Sequence, residues 1–139
     1  MKVAFINTLK ESFMRAEDIV KEKHTMKQLE LTDESRSKIL SAFPPKYPEV
    51  IAHHITYKGP VSEIPTPEDE FYVVGYTDNG ESLETVVVAI NGSTARPDGG
   101  TYHITLSLDR DKGVRPMNSN DLLANKGYQK VTPFEIRVR

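Results

Sequence analysis

The sequence predicts an α+β fold built on a largely antiparallel sheet. Apolar residues recur at helical spacing near the start of the chain, whereas apolar and polar residues alternate in several short segments after residue 49. Two of these segments flank Asp78-Asn79-Gly80, a sequence typical of a tight hairpin. Helical segments followed by a run of strands indicate the α+β class, and 139 residues suit one domain, residues 1–139.

Two helices are predicted in the first third of the chain. An amphipathic helix over about residues 7–23 follows from apolar residues three and four apart, namely Ile6, Leu9, Phe13, Ala16 and Val20. Residues 27–32, KQLELT, alternate briefly and predict a strand. Thr32 is then the expected N-cap of a second helix that runs to Ser41 and stops before Pro44.

The remaining segments predict strands and one short helix. The expected strands cover residues 50–58, 71–77, 82–90, 101–108 and 130–139. The last is interrupted at Pro133, because proline cannot donate to a sheet ladder. Between the final two strands, residues 118–127 predict a helix with Asn118 or Asn120 as its cap and Gly127 as its terminator.

Composition excludes several classes of function. With 18 basic and 20 acidic residues and a pI of about 6.1, the chain has no overall positive field for general binding of nucleic acid. It has no cysteine, which removes disulfides, thiolate nucleophiles and cysteine-ligated zinc. No segment resembles a signal peptide or membrane span, so we expect a cytoplasmic protein without membrane partners.

The tripeptide His-Ile-Thr occurs twice, in AHHITYKG (residues 52–59) and in TYHITLSL (residues 101–108). Since strand residues two apart share a face, His54 lies on the same face as Thr56, and His103 on the same face as Thr105. The bulky residues between them face the other way, toward a core. His53 is out of phase and is expected to pack or hydrogen-bond rather than catalyse. The two strands can therefore present two imidazoles and two hydroxyls to one cleft.

This set of groups suits phosphoryl transfer without a metal ion. Imidazole has an ordinary pKa of about 6.5, so one histidine can accept a proton while another donates one. Threonine hydroxyls can bind the phosphate oxygens, and Lys58 and Ser107, each four residues past a histidine, are candidates to extend that phosphate site. Arg96 lies in the glycine-rich connection NGSTARPDGG, which is either a flap that reaches phosphate or an ordinary hairpin connection. No metal site and no cofactor are expected.

Paired His-x-Thr motifs, each followed by a hydrophobic residue, resemble the signature of the two-histidine phosphoesterase superfamily. The segments FPPKYPEVIAHHIT and RPDGGTYHITLSLD look most like its compact phage-type members. The resemblance implies a bilobal, pseudo-symmetric fold with antiparallel sheets and flanking helices. It also implies that His54 and His103 are the acid and base and that Thr56 and Thr105 bind phosphate.

The expected function is hydrolysis of a nucleotide phosphodiester. The resemblance implies substrates such as cyclic nucleotides, cyclic oligonucleotide signals that small phage enzymes destroy, or RNA ends with a 2′,3′-cyclic phosphate. A second hypothesis is a non-catalytic module of the same fold that binds a cyclic nucleotide or RNA end. The expected partner in either case is a nucleotide or short oligonucleotide, in the cytoplasm of a host cell if the protein comes from a phage.

Overall fold

The computed structural model describes residues 23–139 and has the predicted α+β class. Within that range it contains two antiparallel sheets and two α-helices. The helix expected over residues 7–23 lies outside the described residues, except for its last position, which is not helical. Neither described helix is both long and apolar enough to cross a membrane.

Seven strands and two helices follow one another along the described chain. In order they are β1 (His24–Glu30), α1 (Asp33–Ala42), β2 (Glu49–Val50), β3 (His54–Pro60), β4 (Phe71–Asp78), β5 (Leu83–Ile90), β6 (His103–Leu108), α2 (Asn118–Lys126) and β7 (Gln129–Ile136). Single turns of 3₁₀ helix cover Val61–Glu63 and Arg110–Lys112. β1 pairs with β3, and the other strands form a five-stranded sheet in the order β2-β6-β5-β4-β7.

Local sequence signals explain where the helices begin and end. The Thr32 hydroxyl accepts a hydrogen bond from the Ser35 amide at 3.2 Å, which confirms Thr32 as the N-cap of α1. Gly127 ends α2 with a positive φ of 73°, as expected for a glycine terminator. The predicted asparagine cap is wrong, because Asn118 is already helical and Met117, with no capping side chain, holds the cap position.

The turn and proline signals also have clear structural outcomes. β4 and β5 form the predicted hairpin, joined by four residues whose turn is held by Asn79; its side-chain oxygen accepts from three following amides. On β7, the pairing with β4 changes register between Phe134 and Lys130, so Pro133 lies where the ladder is broken. Proline is tolerated there because no ladder hydrogen bond is required of it.

The single strand predicted over residues 50–58 is wrong, since residues 51–53 separate β2 from β3. Ala52 has a positive φ of 41°, a left-handed conformation that is unfavourable for alanine. Arg36 of α1 holds this bend, donating to the Ala52 carbonyl at 3.1 Å and to the Ile51 carbonyl at 3.5 Å. Alternating sequence alone does not reveal such a bend, because the hydrogen bonds come from a distant helix.

The core lies on one side of the five-stranded sheet, under β1, β3 and α1. Its fully buried side chains include Ile39, Ile55, Tyr57, Val86, Ile104 and Leu106. The other side of β5 faces α2, where Thr85 hydrogen-bonds Ser119 at 2.7 Å. β3 alternates between buried and half-buried residues, so the predicted phase is confirmed: its bulky residues face the core, and the side chains between them face the α2 side.

Candidate functional site

The two His-Ile-Thr segments approach each other because β2 runs antiparallel to β6. Val50 pairs with Ser107, and the pattern continues as the Ala52 amide donates to the Thr105 carbonyl at 2.9 Å. If this register continued for two more residues, His54 would lie opposite His103. Beyond Ala52, however, the chain turns away to pair with β1, so β3 diverges from β6. The divergence opens a cleft between the two motif strands.

This cleft has a volume of about 170 Å³, room for a phosphate group and part of a nucleoside but not for a large ligand. Six of the seven predicted site residues line it, namely His54, Thr56, Lys58, Arg96, His103 and Thr105. A larger hollow of about 760 Å³ beside α1 is open to solvent and contains none of them. The chemistry expected from the sequence is therefore concentrated in the smaller cleft.

Ser107 is the predicted site residue that does not line the cleft. It is fully buried, and its hydroxyl donates to the Glu84 carboxylate and accepts from the Tyr47 amide at 3.2 Å. The two motif strands leave the paired region in opposite directions. Lys58, four residues past His54, therefore lies at the other end from Ser107, four residues past His103. Lys58 therefore reaches the cleft, whereas Ser107 lies beside Val50 and away from it, so its proposed contact with substrate is wrong.

His103 is buried on the cleft wall, and its tautomer is fixed. Its Nδ1 lies 2.7 Å from the Thr101 carbonyl oxygen, which can only accept, so Nδ1 carries a proton and donates it. Nε2 is left for chemistry in the cleft. Burial lowers the pKa of His103 below its ordinary value. The hydrogen bond to the Thr101 carbonyl opposes this by raising the pKa, whereas positive charge on Arg96, His54 and Lys58 lowers it further.

His54 is half-buried on the opposite wall. Its Nδ1 lies 3.0 Å from Nδ1 of His53, and the two rings meet edge to face with centroids 5.2 Å apart. Burial lowers the pKa of His54, the positive potential of His53 lowers it further, and the negative charge of Glu30 opposes both. Both cleft histidines are thus biased toward the neutral form that accepts protons.

The two motif threonines have different surroundings. The Thr105 hydroxyl donates to the Pro116 carbonyl at 3.2 Å and lies 2.8 Å from Ser119 Oγ, in a buried cluster with Thr85. This cluster connects the floor of the cleft to the first turn of α2. Thr56 is half-buried on β3 and lines the cleft wall two residues beyond His54.

Two cationic side chains line the cleft, and one of them, Arg96, forms an ion pair with Asp98. Arg96 is buried, donating from Nε to Asp98 at 2.7 Å and from Nη2 to Asn120 at 3.1 Å. Burial raises the pKa of Asp98, but hydrogen bonds from Arg96 and the Gly100 amide outweigh it and keep that pKa low. Lys58, half-buried, faces the same cleft. This arrangement is suited to an anion with more than one exposed oxygen.

The connection that carries Arg96 is an ordinary hairpin rather than a flap. Ala95 bridges to Thr101, and the Arg96 amide donates to the Gly100 carbonyl at 3.0 Å. Gly100 also packs against the guanidinium, since a Cβ there would lie 2.6 Å from Nη2. The structure therefore favours an ordinary hairpin connection over a flap for this segment. Arg96 nevertheless lines the cleft.

Sequence reasoning missed several residues at the edge of the cleft. Met26 of β1 and Met117 at the start of α2 both line it, although their side chains are 63% and 68% exposed. Asn120 was considered only as a helix cap, yet it holds Arg96. None of these contacts follows from local pattern, because each joins segments far apart in the chain.

Comparisons of the chain with protein-family models, with curated proteins and with solved structures gave no match. Among the described residues 23–139, no group of three or more histidine, aspartate or glutamate side chains is arranged to hold a metal ion.

Proposed function

We propose that the chain is a metal-independent phosphodiesterase of the two-histidine type, acting on a nucleotide phosphodiester. The observation that carries this proposal is that the pairing of β2 with β6 brings both motif strands to one small cleft, which His54 and His103 both line. Under this proposal the two sheets correspond to the two halves of a pseudo-symmetric fold.

The proposed reaction needs a base and an acid on opposite sides of one phosphorus atom. One histidine takes a proton from a water molecule, whose oxygen forms the new bond to phosphorus. The bond from phosphorus to the leaving oxygen breaks, and the other histidine, protonated, gives its proton to that oxygen. The fixed Nδ1–H of His103 leaves Nε2 as its reacting nitrogen, whichever role it takes.

Charge that develops on the phosphate oxygens is stabilised by the remaining cleft residues. Lys58 and Arg96 supply positive charge, and Thr56 supplies a hydroxyl donor from the same wall as His54. The hydroxyl of Thr105 has protein partners, so its part is to hold the strand and α2 together around the phosphate.

The edge of the cleft favours a nucleotide over a simple phosphate ester. Met26 and Met117 offer two polarizable, solvent-exposed side chains beside an otherwise polar cleft, and such surfaces pack well against flat aromatic groups. Substrates that combine a phosphodiester with nucleobases meet both requirements. The candidates are a cyclic nucleotide, a cyclic oligonucleotide signal and an RNA end with a 2′,3′-cyclic phosphate.

One observation favours the alternative function, a binding module that does not cleave its ligand. The pKa values of both histidines are lowered, which reduces the protonated fraction available as an acid at neutral pH. The negative charge of a bound phosphate favours protonation of a neighbouring histidine. Both functions therefore predict binding of the same ligand, and only turnover distinguishes them.

The deciding experiment is turnover of cyclic dinucleotides, cyclic trinucleotides and RNA with cyclic-phosphate ends in excess chelator. We expect one substrate class to be cleaved, and His54→Ala and His103→Ala each to lower the rate on the order of 10²–10⁴-fold. The double variant is expected to be little slower, because the two groups act as a unit. His24→Ala is the matched control, since this exposed histidine lies outside the cleft. Binding that depends on both histidines without any turnover supports the module instead.

A further inference from the structure

A series of close side-chain contacts leads from the surface of the protein through Glu30 and His53 to His54. Glu30 Oε2 lies 3.2 Å from His53 Nε2, and His53 Nδ1 lies 3.0 Å from His54 Nδ1. We propose that His53, oriented by Glu30, is a positioning residue that selects the tautomer of His54 and thereby makes His54 the base. This inference rests on the proposed function and adds an assignment of roles to it.

The contact between His53 and His54 limits where their protons lie. A contact between two Nδ1 atoms is a hydrogen bond only if one of them carries a proton and the other does not. A carboxylate beside Nε2 can only accept, so neutral His53 places its single proton on Nε2, facing Glu30. Its Nδ1 is then an acceptor, and His54 must donate from Nδ1. The Nε2 of His54 is left unprotonated.

The backbone holds each member of this series in place. The His53 carbonyl accepts from the Leu31 amide at 3.0 Å, immediately after the bend at Ala52. Glu30 is the cross-strand partner of His54 in the β1–β3 ladder, and its carbonyl accepts from the Arg139 amide at 2.8 Å. The fold thus places the backbones of Glu30, His53 and His54 side by side, while the side chains of Glu30 and His53 remain about half exposed.

The same reasoning separates the roles of the two cleft histidines. His103 has its tautomer fixed by a backbone carbonyl, which changes little with its surroundings. His54 depends on a neighbouring imidazole that accepts from its Nδ1 and on the Glu30 carboxylate, whose negative charge favours the positive charge gained when a base takes up a proton. His54 therefore acts as the base that activates water, and His103 as the acid that protonates the leaving oxygen.

Nuclear magnetic resonance of ¹⁵N-labelled histidine tests the tautomer directly and needs no substrate. At pH 8 the intact protein should show His54 with a protonated Nδ1 and an unprotonated Nε2. His53→Phe should shift His54 toward the Nε2–H tautomer, whereas His53→Asn, whose side-chain oxygen can accept from Nδ1, should keep the original state. Glu30→Ala should also shift it, while Glu34→Ala, an exposed glutamate on α1, should not.

Kinetic measurement then tests the consequence. His53→Phe should lower kcat roughly 10-fold with little change in KM, and His53→Asn should recover most of that loss. Urea unfolding of each variant distinguishes lost activity from lost structure. An Nε2–H tautomer of His54 in the intact protein, or an unchanged tautomer in folded His53→Phe, would overturn the proposal. Because the spectrum does not depend on turnover, it tests the tautomer of His54 even if no tested nucleotide is cleaved.

Discussion

Replacement of Ser107 by alanine should weaken the fold and leave the cleft chemistry intact. Ser107 and Glu84 are both fully buried, and the carboxylate also accepts from Tyr76 Oη at 2.6 Å and from the Lys46 amide at 2.7 Å. Ser107→Ala removes one of these three donors and the acceptor of the Tyr47 amide.

The size of the effect follows from those two lost contacts. A hydrogen bond to a charged group contributes about 1.5–3 kcal/mol, and a part-buried amide left without its acceptor costs about 1 kcal/mol. The free energy of unfolding should therefore fall by about 2.5–4 kcal/mol, and for a chain of 139 residues the Tm should fall by roughly 9–14 °C.

Urea denaturation and a thermal melt measure this loss, and Ser37→Ala is the matched control. Ser37 is exposed on α1, so its replacement should change the free energy of unfolding by less than about 0.5 kcal/mol. In parallel, Ser107→Ala should retain its rate on whichever nucleotide is cleaved, measured at a temperature where it is folded. A variant as stable as the parent but strongly impaired in turnover would refute the reasoning and return Ser107 to the site.

Three further predictions concern the cleft. Burial lowers the pKa of His103, so the unfolded chain binds a proton at this residue more readily than the folded chain does. The free energy of unfolding should therefore fall as the pH drops below about 6.5. In urea titrations from pH 8 to pH 5, His103→Gln should reduce this decline. If the slope is the same in both proteins, His103 is not its source. The pKa values of His54 and His103 are both lowered, so kcat/KM should follow a bell-shaped pH curve with its maximum below about pH 6.5. A maximum above about pH 7.5 would contradict the assignment of these two histidines as acid and base. Gly100→Ala should displace the guanidinium of Arg96 and raise KM several-fold, and it should also lower stability, because Arg96 is buried and hydrogen-bonded to Asp98 and Asn120. An unchanged KM in a variant whose free energy of unfolding has fallen would show that Arg96 does not contact substrate.

The sequence was sufficient where the signal is local. Alternation along β3 predicts which residues face the core, and the fully buried Ile55 beside the cleft residues His54 and Thr56 confirms that phase. The cap at Thr32 and the terminator at Gly127 depend on hydrogen bonds and φ angles within one turn of the chain. These features need no knowledge of the rest of the fold.

Sequence reasoning failed where two distant segments decide the outcome. The break after β2 depends on Arg36, which lies 16 residues from the Ala52 carbonyl that it binds. The position of Ser107 depends on the direction of β2 relative to β6, and Glu84, its partner, comes from a third strand. The contact between His53 and His54 joins adjacent residues, which strand alternation would point to opposite faces, so alternation does not predict it.

The bend at Ala52 also couples the two sheets mechanically. β2 ends and β3 begins within three residues, with no loop between them, so a shift of one strand along its partner is transmitted to the other sheet. Inserting one residue there would rotate His54 out of the cleft while His103 stayed in place. Natural variation in chain length should therefore spare this junction, and the three residues between β2 and β3 should keep a fixed number even where their identities change.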